Sequence, residues 1–80
     1  MSRLEKLREK ILLGKSDANI SFDDLRDFLI SLGFEERIKG SHHSYRMAGV
    51  LDKPNLQRDG SKAKSYQVKQ VRLIVKKHNL

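Results

Sequence analysis

Two of the chain's three histidines stand side by side in the stretch Lys39-Gly40-Ser41-His42-His43-Ser44-Tyr45-Arg46. An imidazole moves protons near neutral pH, a hydroxyl can hydrogen-bond a phosphate oxygen, and a guanidinium can grip a phosphate with two parallel bonds. If the stretch is a strand, alternation separates the pair. His43 falls on one side with Tyr45 and Met47, whose apolar character turns that side toward a core. His42 falls on the other side with Ser44 and Arg46. His43 is therefore expected as a half-buried, hydrogen-bonded packing residue, and His42 as the imidazole free to act on a phosphodiester. Neighbouring strand histidines point opposite ways and do not readily chelate one ion. The chain also has no cysteine and no His-x-x-x-His or carboxylate–histidine spacing. No metal and no cofactor is expected.

The charge is placed unevenly around this stretch. The formal net charge is +7. Residues 1–40 carry eight Lys/Arg and eight Asp/Glu, whereas residues 41–80 carry nine Lys/Arg against Asp52 and Asp59. All the excess thus lies in the half that begins beside His42. A basic surface of this kind attracts polyanions, nucleic acid foremost. The cysteine-free composition fits a reducing compartment, and no apolar run is long enough for a leader or a membrane span. The expected protein is soluble and cytoplasmic.

The elements that must hold these residues are legible from caps and periods. Ser2 and Glu5 have the form of a capping box, Leu4, Leu7 and Ile11 recur at helical spacing with Leu12 beside them, and Gly14 ends the segment. Ser21 caps a second helix with Asp24 in the box position and Ile20 and Leu25 as a hydrophobic staple. Phe22, Leu25, Phe28, Leu29 and Leu32 form its apolar face, and Gly33 stops it. From Phe34 the period becomes two, with Gly40-Ser41 as the turn into the histidine strand. Residues 55–58 (Asn-Leu-Gln-Arg) predict a third strand closed by Asp59-Gly60, and residues 60–64 cross to a last helix capped by Ser65. Val68, Val71, Ile74 and Val75 give that helix its buried stripe, Lys69, Arg72 and Lys76 line its outer face, and Asn79 supplies a left-handed end. Eighty residues make a single domain at most. The order α-α-β-β-β-α predicts an α+β fold in which helices cover one face of a three-stranded antiparallel sheet and leave the other face open.

With these elements in place, the run from Ser21 to Leu80 resembles the HicA (YcfA-like) toxins, small ribonucleases of toxin–antitoxin pairs. The shared features are a helix ending in Leu-Gly-Phe, a strand, the sequence Lys-Gly-Ser-His-His-x-aromatic, and a closing helix of the type Val-Lys-Gln-Val-Arg-x-Ile. The resemblance implies a double-stranded-RNA-binding-like fold over residues 20–80, with residues 1–14 as an extra N-terminal helix. It implies messenger RNA cleavage as the activity and a HicB-type antitoxin as partner. The histidine after Gly-Ser, His42 here, is the implied catalytic residue. The chain departs from the family where it reads Leu-Gln-Arg-Asp-Gly-Ser-Lys-Ala-Lys at residues 56–64, a stretch that often holds a proline and a second histidine. It departs again at Asn79, where a glycine is usual.

The expected chemistry needs no metal. His42 as general base takes the proton of a ribose 2′-hydroxyl, which attacks the adjacent phosphate and leaves a 2′,3′-cyclic end. Arg46, or a lysine of the Lys62–Lys64 segment, offsets the charge growing on phosphorus. Ser44, Tyr45 or a water protonates the leaving oxygen, or the enzyme is slow for want of an acid. Lys39, Gly40, Ser41, Lys62, Lys64, Lys69, Arg72 and Lys76 are the expected RNA contacts. A non-catalytic double-stranded-RNA-binding module is the alternative reading; it accounts for the charge but gives His42 no task.

Overall fold

The structure, a computed structural model, describes residues 2–80. Helix α1 spans Arg3–Leu13, with Ser2 Oγ accepting from the Glu5 amide at 3.2 Å. Gly14 ends it at φ 73°, a left-handed conformation that glycine adopts without cost. A 3-10 turn at Asp17–Asn19 follows. Helix α2, Phe22–Leu32, starts at Ser21, whose Oγ accepts from the Asp24 amide at 3.0 Å, and stops at Gly33.

Strands β1 (Glu35–Lys39) and β2 (His42–Arg46) pair antiparallel through five matched positions around the Gly40-Ser41 turn. Strand β3, Asn55–Leu56, pairs with the far edge of β2, giving the order β1-β2-β3. The molecule is α+β, with three helices and this three-stranded sheet among the described residues. Tyr45 and Leu56 point from one sheet face into the core formed with Leu25, Phe28, Val68 and Val71, so the helices cover that face.

Two boundaries differ from the sequence reading. The third strand stops at Leu56 rather than running to Arg58. Arg58, expected to end that strand, the Asp59-Gly60 turn and the start of the expected 60–64 crossing instead form a second, two-stranded sheet of β4 (Arg58–Asp59) and β5 (Lys62–Ala63) around Gly60. The cause is competition for backbone hydrogen bonds. The Gln57 amide donates to the buried Gln67 side chain, which takes it out of any ladder. The Phe22 amide donates to the Ser61 carbonyl at 3.0 Å, and the Ala63 amide to the Ile20 carbonyl at 2.9 Å. The hairpin is thereby tied to the start of α2. The second difference is at helix α3, Ser65–His78, where Lys64 rather than Ser65 is the N-cap and no side chain caps the end. Asn79 ends α3 in the left-handed region at φ 53°, as its position predicts.

Helix α1 belongs to the same core. Leu7 and Ile11 are buried with the residues of α2, the sheet and α3 in one cluster. Arg8 also donates to the carbonyl of Leu80, joining α1 to the end of the chain.

Candidate functional site

The β1–β2 register decides which side chains share the open face of the sheet. Lys39 lies directly opposite His42, and Arg37 opposite Ser44. Directly opposed positions in an antiparallel pair are about 5 Å apart at Cβ and diagonal ones about 7–8 Å. His42 is thus flanked by Lys39 across the ladder and by Arg37 on the diagonal. Arg46 lies four residues further along the same strand, roughly 13 Å away at about 3.3 Å per residue. It pairs there with Glu35 at 3.5 Å and borders a different groove with Met47, Val50 and Lys53. The expected partnership of Arg46 with His42 therefore does not form. A strand carries its face over a longer distance than one phosphate can span, and Arg37, which the sequence reading passed over, stands closer. Ser44 is on the expected face, but its hydroxyl faces the Arg37 carbonyl at 3.4 Å.

His42 acquires a partner from outside its strand. Gln57 Nε2 lies 3.3 Å from His42 Nε2, and Gln57 Oε1 accepts from Lys64 Nζ at 3.3 Å. Since Lys64 can only donate, the amide oxygen is the acceptor there and the amide nitrogen is the donor to His42. The Nε2 atom of His42 then offers its lone pair, the form a general base needs. The backbone of Gln57 is set by Gln67 Oε1, which accepts its amide at 3.2 Å from a buried position on α3. Neither glutamine carried a signal in the sequence, because an amide adds nothing to an apolar period, whether beside a short strand (Gln57) or in the first turn of a helix (Gln67). Gly40 and Ser41 stand with Gln57, Arg58, Lys64 and His43 around an open groove of about 390 Å³ at this end of the sheet.

The remaining expected RNA contacts divide. Lys69 and Lys76 are exposed on α3, and Lys62 is exposed with Nζ 3.3 Å from Asn19 Oδ1. Arg72 is not available. Its side chain is only 13% exposed, and its guanidinium donates to both oxygens of Asp17 at 2.8 and 3.1 Å and reaches the Ile11 carbonyl at 3.3 Å. The face it occupies is covered by the α1–α2 connection, which helical periodicity within α3 could not reveal.

His43 sits on the inner face, as its alternation predicts, edge-on to Phe22 with ring centroids 4.8 Å apart. The hydrogen bond expected of it is missing: Nδ1 is buried without a partner. That nitrogen lies 3.5 Å from Glu36 Oε2, close enough for ion pairing but outside hydrogen-bond geometry. Glu36 is the hub of an inner polar cluster. It accepts from Arg26 Nε at 2.7 Å and from the Tyr45 hydroxyl at 2.6 Å. The Arg26 bond holds its carboxyl below the usual carboxylate range, with Tyr45 adding to the effect. Burial pushes the Tyr45 phenol up, and the Glu36 charge pushes it further. Tyr45 is therefore a poor proton donor to a leaving group. Among the described residues, no three His, Asp or Glu side chains gather as a metal-ligand set, and no helix is long and apolar enough to cross a membrane.

A scan against protein-family models, a search of curated proteins and a search of solved structures each return no match.

Proposed function

We propose that the protein is a HicA-like endoribonuclease, acting on messenger RNA in the cytoplasm as the toxin of a type II pair and held in check by a HicB-type antitoxin. The observation that carries the reading is the His42–Gln57–Lys64 chain, which pairs a base-competent imidazole with a cation. Lys39 across the ladder and Arg37 on the diagonal add the positive charge that a phosphodiester needs beside it. The signature residues Lys39 to His43 and the closing helix of the HicA type point the same way. His42 takes the proton of the 2′-hydroxyl, the freed oxygen attacks phosphorus, and Lys64 with Lys39 and Arg37 offsets the charge developing on the phosphoryl oxygens. Gln57 holds the ring between turnovers and yields its place to the hydroxyl.

Incubation of purified protein with end-labelled single-stranded and structured RNA, in excess chelator, tests this. Wild type should cleave and leave 2′,3′-cyclic phosphate ends, and His42→Ala should lose on the order of 100-fold or more in rate. Binding without cleavage by either protein would favour the RNA-binding module instead. Growth arrest on expression, relieved by a protein encoded beside it, would establish the toxin role.

A further inference from the structure

Tyr45 apart, Gln67 is the one polar residue buried among the described residues, at 3% exposure. A buried amide costs free energy unless its groups are bonded, and a methionine of the same length would fill the place without that cost. Its side-chain oxygen accepts the Gln57 amide at 3.2 Å, and Gln57 in turn holds His42. We propose that Gln67 is a positioning residue of the reaction, fixing Gln57 so that the His42 ring is kept in the form that acts as base; this rests on the ribonuclease reading above.

The bond originates in the way α3 begins. With Lys64 as N-cap, Gln67 is the third residue of the helix. A glutamine there ordinarily turns back to the amide of its own cap residue and closes a capping box. Here the cap is a lysine with no side-chain bond to the helix, and Gln67 gives its oxygen to a neighbouring segment instead. The acceptor stands on the first turn of a helix whose Val68, Val71, Ile74 and Val75 pack in the core, so it is held more firmly than a loop would hold it.

Gln57 is in a place the sheet alone does not secure. Carried one step further, the pairing of His43 with Leu56 and of Ser44 with Asn55 sets Gln57 opposite His42, where cross-strand side chains share a face. The strand ends at Leu56, so no ladder keeps Gln57 there. Its backbone is fixed by neighbours instead. Leu56 is buried before it, Arg58 after it stacks on Phe22 and pairs with Asp23, and Gln67 takes the amide between them.

Lys64 closes the arrangement. Its carbonyl accepts the Gln67 amide at 2.9 Å, and its Nζ donates to Gln57 Oε1 at 3.3 Å. Three hydrogen bonds thus run in a ring through Gln57, Lys64 and Gln67, and the remaining end, Gln57 Nε2, meets His42 Nε2. A neutral imidazole carries its proton on either nitrogen. A donor fixed at Nε2 selects the tautomer whose proton is on Nδ1, and it leaves the lone pair where the 2′-hydroxyl must arrive.

The test reads both activity and the imidazole itself in Gln67→Met, Gln67→Glu, Gln57→Met and the Gln57→Met/Gln67→Met double variant. Cleavage of end-labelled RNA is followed in excess chelator, and the ring nitrogen chemical shifts of His42 are recorded at about pH 8, where an ordinary imidazole is neutral. Gln67→Met should lower kcat by roughly 10- to 100-fold and leave KM within about twofold, because the substrate contacts are untouched. Gln67→Glu keeps the acceptor and should recover most of the loss. In Gln67→Met the His42 Nε2 signal should move toward its N–H value, although the bond removed is to Gln57 and not to the ring. The double variant should be less stable in urea than either single variant yet no slower than Gln57→Met, the mark of a residue acting through another. If the double variant loses the product of the two factors, or folded Gln67→Met keeps the wild-type kcat and His42 signal, the positioning role is overturned and the nuclease reading stands. Wild type that cleaves no RNA overturns both. Should Gln67→Met fail to fold, Gln67→Asn, whose oxygen is drawn back by one methylene, takes its place under the same outcomes.

Discussion

At Arg72 a guanidinium of a basic helix face closes the molecule instead of meeting a ligand. It lies against Gly14, where a Cβ would come within 3.0 Å of Nη1, and binds Asp17 with both arms. Removing one partner of a partly buried, bidentate pair leaves the other charge desolvated and uncompensated. Arg72→Ala should lower stability by about 3 kcal/mol in urea denaturation. Arg72→Lys should recover little, since an ammonium cannot supply the planar fork. Lys69→Ala and Lys76→Ala, at exposed positions on the same helix, should stay within about 0.5 kcal/mol of wild type. Loss of RNA affinity in these two without loss of stability, and the reverse in Arg72→Ala, would separate the roles. The three looked alike in sequence because i, i+3, i+7 spacing reports a shared helix face and says nothing of what covers it.

At the level of elements, α1 is the piece whose standing the chain order left open. A helix ahead of a family-like unit can be an appendage, but Ile11 is fully buried and Leu7 nearly so. Ile11→Ala should therefore cost about 3 kcal/mol, and thermal unfolding followed by helix and sheet signals should remain one transition. Loss of α1 signal ahead of the sheet would show it to be separable. The caps of α1 and α2 were readable because a serine, its acceptor geometry and a following acid act within one turn. The end of β3 was not readable, because it depends on Gln67, ten residues away, claiming the Gln57 amide.

Across the whole molecule, pairing sorts the positive charge. Arg46, Arg58, Arg72 and Lys77 have carboxylates within reach. Arg37 and Lys39 of the sheet, Lys62 of β5, Lys64 beside the groove, and Lys69 and Lys76 of α3 have no carboxylate partner among the described residues. If about five of these six meet phosphates, the logarithm of RNA affinity should fall with that of salt at a slope of roughly −3 to −5. Arg37→Ala and Lys39→Ala should each reduce the slope by about 1, and Arg46→Ala by less, as filter binding at several salt concentrations would show. A flat salt response would remove this surface from RNA binding. The sequence by itself determined the three helices, the first hairpin, the inward and outward sense of His43 and His42, and the basic half of the chain. Each of these follows from periods, caps or charge counts that act over a few residues or add up without regard to position. Only the tertiary structure decided that Gln57, itself bound by Lys64, meets His42, that Glu36 faces His43, that Arg37 replaces Arg46, and that Arg72 is closed off. Those are meetings between side chains far apart in the chain or on neighbouring strands, and they exist only once packing and register bring the backbone together.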